Sequence, residues 1–273
     1  MLSALAAPAL SRAEFDAIRG LLHTVCGIRL NPGKEELVRS RLLRRLRDLG
    51  VASFADYVAR LQSPAGRTEL QFLVDLLTTN TTSFFREKHH FDLLRTQLVP
   101  EWQASRQPVR IWSAGCSSGQ EPYSIAMTLF EASPRPEQWD VRILATDISS
   151  RILATAKAGV YEKELTQSIP GHVSSKYFEP APEGARVIDR LRKKITFAPL
   201  NLMSAWPMRG PFQAIFCRNV MIYFERDLQA KLAARFIELL APGGYLFLGH
   251  SEALAAGRSE MSPVAASAYR RAA

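Results

Sequence analysis

A chain of 273 residues that is 47% hydrophobic and 22% charged has the composition of a soluble globular protein of one large or two unequal domains, with a sizeable core. No apolar stretch approaches the ~20 residues of a membrane span, and Met1–Leu10, mildly apolar without a basic n-region, reads as a frayed or amphipathic leader, not a secretion signal. Cys26, Cys116 and Cys217 lie far apart with no Cys-x-x-Cys or histidine cluster, which argues against a disulfide framework or a metal site and points to the cytoplasm.

Residues from about Ser11 to Leu77 read as helices with short breaks. Ser11 caps a helix running to Cys26, Asn31-Pro32-Gly33 forms a loop, Gly50 ends a second helix and Ser63–Gly66 forms another loop. The net charge of +9 matters mainly through its location. On a helix from about Lys34 to Leu49, Val38, Leu42, Leu46 and Leu49 share one face while Arg41, Arg44 and Arg47 line another. That stripe is either a solvated bundle face or a docking surface for RNA phosphates or a carboxylate-rich protein helix.

The stretch Thr78–Glu87 is dense in hydroxyls and amides, which compete for backbone hydrogen bonds and exclude a helix interior. Thr82 or Ser83 can cap the next helix. Phe84-Phe85-Arg86 instead place apolar bulk and a cation at a domain junction, where pockets concentrate.

From Val109 onward apolar runs alternate with amphipathic stretches, the pattern of a parallel sheet with crossover helices. The expected strands are Val109–Ala114, Val141–Thr146, Phe212–Cys217 and Tyr245–His250, with a late partner near Val264–Tyr269; helices fall near Pro122–Phe130, Ser149–Ala158 and Arg226–Leu240. Between Tyr161 and Leu200 a polar segment containing Tyr177-Phe178 and Ile195-Thr196-Phe197 predicts a small antiparallel insert. It carries the basic residues Arg186, Arg190, Arg192, Lys193 and Lys194.

The first strand ends in Gly115-Cys116-Ser117-Ser118-Gly119, and the helix that follows presents unpaired N–H groups. Such a turn also builds ordinary strand-helix corners, so the second strand adds the discriminating feature. It ends in Asp147, where a carboxylate accepts hydrogen bonds from ribose hydroxyls. The glycine spacing is not the dinucleotide G-x-G-x-x-G, so a ribose-bearing ligand without pyrophosphate fits better, S-adenosylmethionine being the commonest candidate.

Six segments in this order carry a specific resemblance: Asn80–Glu87, the glycine turn with Glu121-Pro122-Tyr123-Ser124, Ala145-Thr146-Asp147-Ile148, Asn201-Leu202, Cys217–Phe224 and Gly249-His250-Ser251-Glu252. The chain resembles the CheR family of chemotaxis receptor glutamate O-methyltransferases over nearly its whole length. The resemblance implies an α/β fold: a class I S-adenosylmethionine-dependent (Rossmann-like) domain over 89–273 with a β insert at about 160–198, preceded by an all-α N-terminal domain and linker over 1–88. It places Asn80, Thr82 and Arg86 at the cofactor's methionine end and the reaction centre, Glu121 near the methionine amino group and Asp147 on the ribose. Gly115 lies in the cofactor turn, Asn201 and Leu202 frame the adenine, Arg218 and Asn219 close the pocket floor, and Tyr223 faces methyl transfer. The implied product is S-adenosylhomocysteine, and the implied partner is the receptor cytoplasmic domain, docked through Arg41, Arg44 and Arg47.

His89-His90 pack the next helix in this reading, and His250 either lines the pocket or makes structural hydrogen bonds. A nucleic-acid methyltransferase is the first rival, but the chain has Cys217-Arg218-Asn219-Val220 where base-amino enzymes need Asn/Asp-Pro-Pro-Tyr/Phe, and Cys217 reads as a buried strand-end thiol. A non-enzymatic sensor of cofactor or receptor is the second. The expectation is thus a cytoplasmic monomer with no nucleic-acid partner and no direct membrane insertion. The short turn Pro180–Gly184 and two prolines argue against binding a receptor C-terminal peptide tether by strand addition.

Overall fold

The computed structural model describes residues 8–255 and 259–273, so most of the leader expected at Met1–Leu10 lies outside the described residues. Two compact units emerge, one running to Thr79 and including Tyr223–Glu225, the other comprising Asn80–Ile222 with Arg226–Ala273. The stretch Asn80–Glu87, expected as the linker after the helices, falls in the second unit. Among the described residues no helix is long and apolar enough to cross a membrane.

The first unit is built on four helices, α1 (Arg12–Cys26), α2 (Glu35–Asp48), α3 (Phe54–Gln62) and α4 (Arg67–Leu77). Ser11 and Glu14 close a capping box at the start of α1, and Gly27 in the left-handed region (φ 72°) ends it. Phe15, Ile18, Leu22 and Cys26 of α1 are buried, as are Val38, Leu42 and Leu46 of α2. The spacing of these residues lays one apolar stripe along each helix, and removing such buried side chains costs about 2–5 kcal/mol apiece. A polar cluster sits beside them: Glu69, 4% exposed, takes both arms of Arg45 at 2.9 and 2.6 Å and the Tyr57 hydroxyl at 2.9 Å.

The second unit opens with α5 (Lys88–Leu93), which continues through a π-helical turn at Leu94–Leu98 into α6 (Val99–Ser105). There follow β1 (Val109–Ala114), α7 (Gln120–Ala132), β2 (Val141–Asp147), α8 (Ser150–Ala158), β3 (Val160–Tyr161), α9 (Lys163–Thr166) and α10 (Gly171–Tyr177). Next come β4 (Phe178–Ala181), β5 (Gly184–Val187), α11 (Asp189–Arg192), β6 (Ile195–Pro199) and β7 (Phe212–Cys217). The chain ends with α12 (Arg226–Leu239), β8 (Leu240–Leu248), β9 (Met261–Ala265) and β10 (Ala268–Arg271). Seven strands form one sheet in the order β6-β2-β1-β7-β8-β10-β9, parallel from β6 to β8 and antiparallel beyond. Strands buried on both faces explain the near-continuous apolar runs. Trp112 of β1 is fully buried against Trp206 and Phe236, and its indole N–H reaches Thr146 Oγ1 at 2.9 Å.

Three expectations need correction. Ile195-Thr196-Phe197 does not pair within the insert; as β6 it lies parallel to β2, with Phe197 opposite Ala145. The insert's own sheet is β3-β5-β4, its hairpin closed between Ala181 and Gly184, and Pro180 stands on the edge strand β4. A short apolar run does not specify its partner, and parallel pairing across about 50 residues leaves no local signal. The late strand near Val264–Tyr269 is two strands folded back on each other, and β8 ends at Leu248, leaving His250 beyond the strand.

Candidate active site

Strand order reverses between β1 and β7, and ligands of open α/β sheets sit outside the carboxyl ends at such a switch point. At the end of β1, the N–H groups of Gly115 (φ 82°) and Cys116 both donate to the Thr146 carbonyl, at 2.8 and 2.9 Å. A side chain on Gly115 would collide with Val220, and one on Gly119 would come within 2.9 Å of the Tyr161 hydroxyl. Both glycines thus leave room for neighbouring side chains to pack into the corner between strand and helix.

Asp147 ends β2 and is buried. Its carboxylate accepts from the Ser117 N–H at 2.8 Å and the Ser149 N–H at 3.0 Å, which fixes its plane between the two loops. The Ser117 hydroxyl donates to the Asn80 carbonyl at 2.8 Å, so Asn80 and Asp147 are joined through one serine. Beyond β6, the Leu200 N–H donates to the Asp147 carbonyl at 2.9 Å, which brings Asn201 and the buried Leu202 to the same rim. The Leu202 carbonyl is held by Arg235 at 2.8 Å, and Arg235 stacks over Trp206.

Arg218, at the end of β7, is buried among acids. It reaches Glu121 Oε2 through Nη1 and Glu87 Oε2 through Nη2, each at 3.2 Å, and also donates to the Arg86 carbonyl. Ser113 donates to the other Glu121 oxygen at 2.7 Å. Burial pushes the Glu121 carboxyl above the ordinary carboxylate range despite the opposing pull of Arg218 and Ser113. Burial also works against ionised Glu87, but Arg218, the N–H and ring of His250 and the Asn219 amide outweigh it and hold its carboxyl at about 2. His90 is fully buried beside Glu87 and held neutral, its pKa lowered to about 4 first by burial and then by Arg218. Its Nε2 lies 3.0 Å from the Ala266 carbonyl, which can only accept, so Nε2 carries the proton.

Arg86 sits between Phe85 (φ 52°) and Glu87 (φ 57°), two left-handed non-glycine residues that each cost on the order of 1 kcal/mol. The Phe85 N–H donates to Ser124 Oγ at 2.9 Å, and the ion pair on Glu87 anchors the other side. The Arg86 guanidinium donates to the Thr81 carbonyl at 3.2 Å and, like Thr82, is only partly buried. Phe84 is core, edge-on to Tyr161 and Phe178. Cys217 is fully buried, its thiol pushed well up by burial, which makes it a poor nucleophile.

Four further residues belong to the helical unit. Tyr223 belongs to the helical unit, where its carbonyl accepts the Arg29 N–H at 2.9 Å. Arg41 does not share a free stripe with its neighbours: one nitrogen donates to the carbonyls of Leu76, Leu77 and Thr78 at 3.4, 3.0 and 3.2 Å, satisfying the open end of α4. Arg44 and Arg47 remain exposed. The sequence reading assigned no role to Glu87, Ser113, Ser117 or Glu252; Glu87 and Glu252 stood in segments that carried the resemblance, and that was their only signal.

Residues 13–78 match the family model described as the CheR methyltransferase all-alpha domain, and residues 80–270 match that of the CheR methyltransferase SAM binding domain. The chain is 45% identical over 239 residues to the probable chemotaxis protein methyltransferase of Rhizobium etli, covering 85% of this chain and 89% of that one. It is 44% identical over 247 residues to chemotaxis protein methyltransferase 2 of Pseudomonas aeruginosa, covering 89% and 87%. Identity to the chemotaxis protein methyltransferase of Escherichia coli is 42% over 250 residues, covering 89% and 85%. Matches of this extent to both halves, on a sheet whose switch point gathers the expected polar residues, make the chain a member of the CheR methyltransferase family.

Proposed function

We propose that the carboxyl ends of β1, β2, β6 and β7 hold S-adenosylmethionine, from which the enzyme methylates glutamate side chains in the cytoplasmic domain of chemoreceptors. The supporting observation is the charge of the site. One guanidinium, Arg218, serves two acids, Glu87 and Glu121, and Asp147 adds a further carboxylate at the neighbouring strand end. That excess of negative charge suits a ligand bearing ammonium and sulfonium cations. When bound, the cofactor supplies a methyl group made electrophilic by its sulfonium.

Glu121 takes the amino group of the methionine moiety, and Asp147, its plane already set by Ser117 and Ser149, takes the ribose hydroxyls. Asn201 and Leu202 frame the adenine, Gly115 shapes the turn beneath, and Arg218 with Asn219 closes the floor. Asn80, Thr82 and Arg86 line the methionine end and the reaction centre, where the resemblance also assigns Tyr223. A substrate glutamate, with a reference pKa near 4.3, is already an anion at neutral pH, so the site needs no general base. Its task is alignment, an effect that can supply several kcal/mol. Arg86 contributes a fixed cationic fork that matches a carboxylate.

Arg44 and Arg47 dock the acidic receptor helices, and the enzyme works as a cytoplasmic monomer without a peptide tether, since the edge strand β4 carries Pro180. Calorimetry on Glu121→Gln tests the cofactor assignment. Removal of that charge leaves Arg218 and Glu87 as a balanced pair, so the protein stays folded, while affinity for S-adenosylmethionine falls by about tenfold or more. Unchanged affinity would refute the assignment.

A further inference from the structure

We infer that Glu252 is a positioning residue for methyl transfer, whose buried carboxylate fixes the loop bearing Arg218 and Asn219. Glu252 follows β8 and is 7% exposed. Its Oε2 accepts the backbone N–H of Asn219 at 2.9 Å and of Gly249 at 2.6 Å, while Oε1 accepts that of Ile222 at 3.1 Å. Three backbone donors from the loops after β7 and β8 thus converge on one side chain, and hydrogen bonds to an ionised acceptor are about twice as strong as neutral ones.

The need for such an acceptor follows from the local backbone. Asn219 lies in the left-handed region (φ 59°), which turns the chain out of the β7 ladder and removes its N–H from any strand partner. The Glu252 N–H donates to the Gly249 carbonyl at 2.8 Å, closing the turn that presents the carboxylate. Gly249 completes the fit, because a Cβ there would collide with the Asn219 side-chain amide and lie 2.8 Å from both Asn219 N and Glu252 Oε2. On the opposite side, the Asn219 amide donates to Glu87 Oε1 at 3.3 Å, which also accepts the His250 N–H at 3.2 Å. Glu252 therefore grips the backbone of Asn219 while Glu87 grips its side chain. Glu87 in turn pairs with Arg218, so the orientation of the whole floor depends on this clamp.

The inference rests on the assignment of Arg218 and Asn219 to the cofactor pocket, and its test separates the two. Glu252→Gln, Gly249→Ala and Asn219→Ala are compared in the full chain. The readouts are affinity for S-adenosylhomocysteine, kcat and KM on receptor-bearing membranes per folded molecule, and hydrogen exchange at the amides of Asn219, Ile222 and Gly249. Glutamine preserves shape but turns an NH2 toward a backbone donor, so at least one N–H loses its acceptor. The expected result in Glu252→Gln is exchange faster by about tenfold at these amides, kcat lower by about tenfold with KM for receptor little changed, and cofactor affinity weaker by roughly threefold. Gly249→Ala gives the same pattern and carries the test should Glu252→Gln fail to fold. Faster exchange with kcat and affinity unchanged in both would overturn the positioning role and leave a structural one. Unchanged affinity and kcat in Asn219→Ala would instead overturn the pocket assignment.

Discussion

Glu87 and Arg218 form an ion pair at 3.2 Å with only 9% and 2% of their side chains exposed, although 131 residues of sequence separate them. Breaking such a pair leaves an uncompensated buried charge, so its titration is felt by the whole fold. The Glu87 carboxyl is depressed from its ordinary 4.5 to about 2, so its contribution is complete above about 4.5 and is lost as pH falls through about 2. His90, lowered from 6.5 to about 4 chiefly by burial, contributes fully above 6.5 and loses its share as pH falls through about 4. Glu121 has the opposite sign, because burial favours its protonated form. The expected outcome is an unfolding free energy that drops between about pH 6.5 and pH 4 as His90 charges and further below as Glu87 protonates, the latter worth on the order of 3 kcal/mol. Urea titrations across that range check it, and His90→Asn should flatten the upper part of the curve.

Replacing Asp147 with Ala weakens both S-adenosylmethionine and S-adenosylhomocysteine, by about 1–3 kcal/mol for unpaired ribose hydroxyls. Asp147→Asn retains one acceptor oxygen and loses less. Calorimetry on the two variants gives the comparison, and equal affinity in wild type and Asp147→Ala would remove the ribose assignment.

Arg86→Ala reduces turnover by about tenfold or more while cofactor affinity changes less, because its fork orients the substrate carboxylate. Arg86→Lys recovers little, since a point charge does not reproduce the fork. Kinetics and binding on the same preparations check this, with a near wild-type Lys variant as the contrary result.

Charge reversal of Arg44 and Arg47 lowers receptor methylation and leaves cofactor binding intact, with an effect that shrinks as salt is raised. Arg41→Ala behaves differently: it uncaps α4 and lowers the stability of the helical unit by about 1–2 kcal/mol. Methylation rates at low salt, read beside thermal melts, separate the two kinds of arginine.

The strands that meet at the switch point were legible because each apolar run ends where its turn residues begin, as at Ala114-Gly115 and Asp147. Capping of α1 was legible for the same local reason, Ser11 standing just before the helical run. The position of Ile195–Phe197 was not, since β-periodicity names a strand without naming its neighbour. Arg41 looked like Arg44 and Arg47 because helical spacing gives direction but not the carbonyls of α4 that happen to lie there. Glu87 and Glu252 were hidden for a related reason. Their partners Arg218, Asn219 and Ile222 are brought to them only by the order of the sheet.

Transfer of a tritiated methyl group from labelled S-adenosylmethionine to receptor-bearing membranes reads out the reaction itself, with Glu121→Gln run beside the wild type. A carboxyl methyl ester releases its label as volatile methanol in alkali. Wild type is expected to leave alkali-labile label on the receptor and Glu121→Gln to do so at a sharply reduced rate; alkali-stable label, label on nucleic acid, or no transfer at all would overturn the assignment.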